Sequence, residues 1–188
     1  MIIPAATMVV NGYTVRMIDP FATFDLPRRF DIDVECLSHR FIALCAEHHP
    51  DRFTDPIDQV EASERTARIN ESHRVLTDPE QRANILLQLL GGAAKGDDKS
   101  LPPDLLVDMM DVRQQQEEAQ ANDDTQTLRK LADWASSQHG AYLSKIALLF
   151  DAHDGADAPG RDEILADIRV NLNALRYMHR MIEQLPTL

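Results

Sequence analysis

The sequence predicts an all-α protein in which a helical hairpin is joined by a short linker to an antiparallel three-helix bundle. Aspartate–proline pairs, which suit the first turn of a helix, recur at Asp19-Pro20, Asp55-Pro56 and Asp78-Pro79. Apolar residues recur at spacings of three and four, the period of a helix with one buried face. Towards the end of the chain this spacing approaches a heptad, which is typical of helices packed against each other.

The composition is that of a folded protein. With 188 residues and 44% hydrophobic content, the chain is long enough for one ordinary domain or two small ones. The net charge of -12 argues against a nucleic-acid partner. No apolar run approaches the roughly 20 residues that span a bilayer, and no secretory signal is evident. We therefore expect a soluble protein without a nucleic-acid or membrane partner.

The two cysteines, Cys36 and Cys45, fall nine residues apart on one predicted helix. This spacing puts them on roughly opposite sides of the helix, so they cannot pair with each other. We expect a reducing compartment, with small packed side chains favoured over a metal site.

Residues 1–18 are predicted to form an N-terminal extension. Asn11-Gly12 separates two β-prone runs, 8–10 and 13–15, and this pair readily takes the positive φ angles of a tight hairpin turn. Two strands alone are marginal, so a floppy leader and an ordered arm are both open.

The first two predicted helices flank a break at Leu26-Pro27. A short helix begins at Asp19-Pro20, and Asp31 or Asp33 can cap the longer helix that follows the break. Five residues of the longer helix are predicted to form one core stripe: Val34, Leu37, Phe41, Leu44 and His48. His48 is therefore expected to pack at the helix end and not to bind a ligand.

The tripeptide His49-Pro50-Asp51 follows that helix directly. Proline cannot continue a helix and favours an extended residue before it, so the tripeptide is predicted in an exposed loop. The next helix, from Pro56 to about Leu76, is polar for its length and needs a packing partner. Antiparallel pairing with the preceding helix would leave the tripeptide at the tip of a hairpin. A fourth helix begins at Asp78-Pro79 and is predicted to stop at the following Gly-Gly pair.

Residues 93–103 are predicted to be a linker, and the helix after them carries a dense apolar cluster. Either three of its side chains project outward as a protein-contact site, or neighbouring helices bury all six. The cluster comprises Leu105, Leu106, Val107, Met109, Met110 and Val112. Two further helices, from about 123 to 150 and from about 161 to 185, complete the predicted bundle. The acidic turn predicted between them holds Asp151, Asp154 and Asp157, whose spacing does not match an EF-hand, and a solvated turn is favoured over calcium binding.

The tripeptide and its flanks resemble the J domain, and the whole arrangement resembles the HscB family, J-domain co-chaperones of iron–sulfur cluster assembly. The resemblance extends from Asp19 to Leu185 and implies a J domain over 19–92 and a C-terminal bundle over 104–188. The supporting residues are Phe21, Phe24, Leu26-Pro27, Phe41, Leu44, the run from His49 to Phe53, Ile69-Asn70, Asp78-Pro79, Arg82-Ala83, Leu86-Leu87 and the run from Leu105 to Met110.

The resemblance implies two partners. The J domain would dock on a DnaK/HscA-type chaperone and stimulate its ATPase, and the bundle would hold the IscU-type scaffold protein. The residues implied in chaperone binding are His49, Pro50 and Asp51, with Arg40 and Arg52 adding electrostatic attraction. The residues implied in scaffold binding are Leu106, Val107, Met110, Asp111, Gln114 and Tyr177. We expect the bacterial cytoplasm in preference to the mitochondrial matrix.

Three departures from the family are visible. Ala46 and Glu47 stand where many J domains carry positive charge, no cysteine precedes Cys36 to form a metal-binding leader, and Gln114 replaces a residue that is often charged. Because of Ala46 and Glu47, the electrostatic part of chaperone docking is expected to be weaker or to use other residues.

The first alternative is a general J-domain adaptor whose bundle binds a different client. A distant second is a metal enzyme that uses His48, His49 and Asp51. Nothing near His49 in the sequence supplies a nucleophile or an orienting group. We therefore expect no catalytic residue, no metal site and no cofactor.

Overall fold

The computed structural model describes residues 18–185, together with the backbone of 7–10 and 13–16. The chain forms two compact units that divide between Leu89 and Leu90. Apart from one two-stranded ladder, the elements it describes are helical, as predicted. Their bounds are β1 (Thr7–Val10), β2 (Tyr13–Arg16), α1 (Pro20–Thr23), α2 (Val34–Glu47), a 3₁₀ helix (Pro50–Arg52), α3 (Pro56–Thr77), α4 (Pro79–Leu89), α5 (Pro103–Ala121), α6 (Thr125–Gly155) and α7 (Ala158–Gln184).

The two predicted strands pair antiparallel, with Val10 opposite Tyr13 and Thr7 opposite Arg16. This register leaves two residues for the connection, as predicted for a tight hairpin. The predicted turn at Asn11-Gly12 lies outside the described residues.

Aspartates cap the helices of the first unit, as their positions before prolines and apolar runs predicted. The Asp19 carboxylate accepts a hydrogen bond from the backbone amide of Phe21, 2.9 Å away. Asp33, and not Asp31, caps α2 by accepting from the amide of Cys36. Asp55 caps α3 by accepting from the amide of Ile57. These bonds satisfy amides that have no partner within their own helix.

Helices α2 and α3 pack antiparallel, as predicted. The Phe41 ring stacks on the His73 ring with centroids 4.0 Å apart, and the Cys45 thiol lies 3.9 Å from the Asn70 side-chain oxygen, one turn nearer the tip. Cys36 and Cys45 are both free thiols.

The predicted core stripe of α2 holds only in part. Leu37 is fully buried and Phe41, Leu44 and His48 are half-buried, but Val34 is 54% exposed. Since Phe41 lies opposite His73, Val34 would need a partner beyond the residue where α3 ends. The first turn of α2 therefore has no segment of α3 to pack against.

In the second unit, α5, α6 and α7 form the predicted bundle, and each helix contributes to one apolar core. The buried members are Leu105, Met109, Val112, Ala119, Leu128, Leu131, Ala135, Ala174, Met178, Met181 and Leu185.

The connection between α6 and α7 is shorter than predicted. Asp151 and Asp154 lie within α6 and not in a turn. Asp157 caps α7 by accepting from the backbone amide of Gly160 at 3.1 Å, with proline in the first turn. The sequence Asp157-Ala158-Pro159 is thus itself a helix start, which the prediction of an acidic turn overlooked.

Residues of the predicted linker are hydrogen-bonded to α7. The Asn173 side-chain amide donates to the carbonyls of Asp98 and Ser100 at 3.0 and 3.1 Å, and Arg169 donates to the carbonyl of Ala93 at 3.1 Å. This part of the chain therefore belongs structurally to the second unit. Among the described residues, none of the helices has the length and apolar character that a bilayer crossing needs.

Candidate functional site

The tripeptide His49-Pro50-Asp51 forms a compact turn between α2 and α3. His49 is extended, with φ -63° and ψ 129°, and Pro50 opens the 3₁₀ helix. The amides of Arg52 and Phe53 donate to the carbonyls of His49 and Pro50, each at 3.0 Å. The turn closes because proline fixes its own φ and supplies no amide that would need a partner.

Two side chains from α3 and one from the tip itself hold this tip in place. Thr66 donates its hydroxyl to the His48 carbonyl at 3.0 Å, and the Gln59 amide donates to the Phe53 carbonyl at 2.8 Å. Arg52 donates to the Ala46 carbonyl at 3.0 Å. The backbone on both sides of the tripeptide is therefore fixed, while the side chains of His49 and Asp51 remain exposed.

The Asp51 carboxylate is 90% exposed and the His49 ring 57% exposed. His49 Nδ1 accepts a hydrogen bond from the Asp51 amide at 3.3 Å. A neutral ring that accepts there carries its proton on Nε2, so the 3.6 Å approach of Nδ1 to the Asp51 carboxylate is not an ion pair in that state. The carboxylate stays available to form charge-assisted hydrogen bonds with a basic group outside the chain.

The two arginines predicted beside the tripeptide, Arg40 and Arg52, lie in different places and make different contacts. Arg40 donates to the carbonyls of Phe24 and Asp25, which links α2 to the turn after α1. Its guanidinium remains 39% exposed and lies 3.7 Å from the Asp25 carboxylate. Arg52 is the one that lies at the tip.

A second exposed site lies on α5. Leu106, Val107 and Met110 are 52%, 67% and 75% exposed, whereas Leu105, Met109 and Val112 face the bundle core. Of the two arrangements that the sequence left open, the outward-facing one is therefore present. We call Leu106, Val107 and Met110 the apolar patch.

Polar residues complete the exposed face of α5. Asp111 and Gln114 are exposed and follow Val107 at spacings of four and seven, so they lie on the same side of the helix. Gln114 donates to the Glu118 carboxylate at 2.9 Å. The acidic and amide groups thus border the apolar patch along one edge.

Tyr177 reaches α5 from α7. Its hydroxyl accepts a hydrogen bond of 3.0 Å from Arg113, and Arg113 follows Leu106 and Met110 at spacings of seven and three on the other edge of the patch. Sequence reasoning named Tyr177 but missed Arg113, although its helical spacing from Leu106 could have indicated it. Thr66 and Gln59 were also missed, since nothing in a polar helix distinguishes them before the pairing of α2 with α3 is known.

The structure therefore gathers the predicted residues into two sites on different units. His49, Pro50, Asp51 and Arg52 lie together at the tip in the first unit, with Arg40 set apart towards α1. The patch residues and Tyr177 belong to the second. In the part of the chain that the structure describes, no three metal-ligating side chains lie close enough to hold an ion.

Comparison with known proteins gives relatives over most of the chain. A family model described as the HSCB C-terminal oligomerisation domain matches residues 101–186. A co-chaperone protein HscB homolog from Bordetella petrii is 33% identical and aligns over 74% of this chain and 84% of its own length. A second such homolog, from Mannheimia succiniciproducens, is 30% identical over 76% of this chain and 84% of its own length.

Two solved structures share the fold. Chaperone HscB from Vibrio cholerae superposes with a TM-score of 0.69 at 24% identity, covering 89% of this chain and 95% of its own. The human co-chaperone protein HscB superposes with a TM-score of 0.73 at 19% identity, covering 89% and 80%.

Proposed function

The chain belongs to the HscB family of co-chaperones, and from this premise we propose that it stimulates the ATPase of a DnaK/HscA-type chaperone and delivers an IscU-type scaffold protein to it. The observation that carries the proposal is the presence of two exposed sites on separately folded units. One is a polar tip that ends in an unshielded carboxylate, and the other is an apolar patch with a polar border.

The tip is the proposed chaperone site. Its backbone is fixed by Thr66 and Gln59, so little conformational entropy is lost when Asp51 meets a basic group of the chaperone. Arg52 adds positive charge beside the tripeptide. Because the Arg40 guanidinium already donates hydrogen bonds to two backbone carbonyls, we propose that Arg40 contributes less than Arg52 to the electrostatic attraction in docking.

The apolar patch is the proposed scaffold site. Three large apolar side chains exposed side by side on one helix are characteristic of protein-contact surfaces. Tyr177 offers an aromatic ring at the edge of the patch, and Asp111 and Gln114 offer hydrogen-bonding groups. Burying the patch against a partner supplies affinity, and the polar border sets the orientation.

The function follows from holding both partners on one chain. A scaffold bound to the bundle reaches a chaperone bound to the tip at a high effective concentration, without any bond made or broken by this chain. The proposed role is therefore that of an adaptor and activator and not of an enzyme. The iron–sulfur cluster is cargo of the scaffold, and the bacterial relatives favour a bacterial cytoplasmic setting.

A reconstituted assay tests the proposal. Steady-state ATP hydrolysis by a purified HscA-type chaperone is measured alone, with this chain, with an apo IscU-type scaffold, and with both. We expect stimulation by this chain that rises further when the scaffold is added. Stimulation without any scaffold dependence, and without scaffold binding by calorimetry, would instead indicate an adaptor for a different client.

A further inference from the structure

Two small cavities adjoin at Tyr177 in the second unit. One, of about 220 Å³, lies between α5 and α7. The other, of about 200 Å³, lies between α7 and residues 96–101. Tyr177 and Arg180 line both, so the two cavities are neighbours on α7.

The combined lining of the two cavities is cationic. Its described residues include four positively charged side chains and one carboxylate, that of Asp98. The four, which we call the cationic site, are Lys99, Arg113, Arg176 and Arg180. This concentration of positive charge is unexpected in a chain whose net charge is -12.

Nothing in the described part of the chain neutralises these cations by a direct ion pair. Arg113 donates to the neutral Tyr177 hydroxyl, and the Asp98 carboxylate accepts from the backbone amide of Ser100 at 2.6 Å. Burial lowers the pKa of the neighbouring Arg169, Asp98 and Asp97 oppose this shift, and repulsion from Arg176 adds to it least. Ion pairing with a carboxylate from outside the chain is therefore open to all four side chains of the cationic site.

The cationic site is continuous with the apolar patch. Leu106, Met110 and Arg113 follow one another at spacings of four and three, which places them in one row on α5. A protein that covers the patch would therefore extend over Arg113 and Tyr177. Ligand pockets for small molecules usually enclose about 300–1,000 Å³, so each cavity here suits single side chains better than a cofactor.

We infer that the cationic site receives carboxylate side chains of the client protein that docks on the apolar patch. The inference rests on the proposed function and adds a contact beside the apolar patch. Aspartates or glutamates of the client would pair with Arg176 and Arg180 while apolar residues of the client cover Leu106 and Met110. Arginine is suited to this role because its planar guanidinium binds a carboxylate through two parallel hydrogen bonds.

The test compares two double variants with the full-length wild type. Arg176→Gln with Arg180→Gln removes two charges from the site, and Arg129→Gln with Lys145→Gln removes two exposed charges from α6 as a matched control. Affinity for an apo IscU-type scaffold is measured by calorimetry at about 50 and 300 mM salt. Ion pairs between partly exposed groups are individually weak, so we expect about fivefold weaker binding for the site variant at low salt, with a smaller salt dependence.

The outcomes separate this inference from the function on which it rests. If the wild type fails to bind the scaffold, the proposed function fails and the inference fails with it. If the wild type binds but the two double variants match it at both salt concentrations, the inference alone is overturned. Sedimentation velocity tests whether a second copy of this chain occupies the site instead. If the site variant loses self-association but keeps its scaffold affinity, the site binds a second copy and the inference is overturned.

Discussion

The hydroxyl of Thr66 donates a hydrogen bond of 3.0 Å to the backbone carbonyl of His48. That carbonyl belongs to the residue that caps the C-terminus of α2, where backbone acceptors have no partner within the helix. Thr66 supplies the missing donor from the opposite helix. The position of the tripeptide is therefore set by α3 as much as by α2.

Thr66→Val removes this donor while keeping the shape of the side chain. Because a half-buried carbonyl then lacks its partner, we expect the free energy of unfolding to fall by about 1 kcal/mol. The tip should also become less well fixed, so more of this chain should be needed to half-saturate chaperone ATPase stimulation. Urea denaturation and the ATPase assay measure the two effects.

Ser63→Ala is the matched control for Thr66→Val. The Ser63 hydroxyl bonds to the Gln59 carbonyl within α3 and is exposed, so its loss should leave both stability and stimulation unchanged. A Thr66→Val variant that equals the wild type in both measurements would show that this bond does not hold the tip.

Asp51→Asn keeps the size of the side chain and removes its charge. With the carboxylate 90% exposed, the fold should not change, but the charge-assisted bonds proposed to the chaperone are lost. We expect stimulation of the chaperone ATPase to be abolished while scaffold binding, measured by calorimetry, stays at the wild-type level.

Glu35→Gln controls for the loss of one negative charge from the hairpin. Glu35 is exposed in the first turn of α2, at the end remote from the tip along that helix. Its variant should stimulate the ATPase normally. Loss of both ATPase stimulation and scaffold binding in Asp51→Asn would mean that the two sites do not work independently.

Much of the fold could be predicted from local chemistry. The capping aspartates and the pairing of α2 with α3 follow from residues close in sequence, and the structure confirms them. Val34 was wrongly placed in the core because helical period does not show where the neighbouring helix ends. The same limit left the patch on α5 undecided, since only the packed bundle shows that Leu105 faces inward and Leu106 outward.

The location of the candidate-site residues was predictable where a motif carries them and not where tertiary contacts decide it. The tripeptide can be recognised in the sequence as a short motif between two predicted helices. The carbonyl contacts of Arg40 and the hydroxyl contact of Thr66 depend on backbone groups far along the chain. Such partners become visible only when the packing of the helices is known.

Asp124, which caps α6, should make the stability of the bundle dependent on pH. Hydrogen bonds from the hydroxyl and amide of Thr127 hold the pKa of its carboxyl below the usual range. A carboxyl with a lowered folded pKa stabilises the fold above its unfolded pKa of about 4, and this contribution is lost as the pH falls through the folded value. Asparagine also caps helices but does not titrate in this range.

We therefore expect the stability advantage of the wild type over Asp124→Asn to shrink between pH 6 and pH 3. Urea denaturation followed by the fluorescence of Trp134, which also lies on α6, measures it at each pH. Other carboxylates titrate in both proteins, so the difference isolates Asp124. A difference that stays constant with pH would contradict the prediction.

Leu106→Ala with Met110→Ala tests the apolar patch. Because both side chains are more than half exposed in the free protein, their truncation should leave the thermal stability nearly unchanged. If the scaffold buries them, each truncation removes contact area from the interface, and the residues whose loss costs above about 1 kcal/mol cluster near the centre of such a surface. We expect apo-scaffold binding to weaken by about tenfold to a hundredfold, with ATPase stimulation in the absence of scaffold retained.

Leu148→Ala provides the control for that double variant. Leu148 is 69% exposed on α6 and does not belong to the patch, so its truncation removes exposed apolar area from the same bundle but outside the patch. It should leave scaffold affinity at the wild-type value. Equal weakening of scaffold binding by both changes would assign binding to general surface hydrophobicity. If the Leu106→Ala, Met110→Ala variant binds the scaffold as the wild type does, the scaffold binds elsewhere, because a side chain buried in an interface cannot be truncated without losing its contacts there.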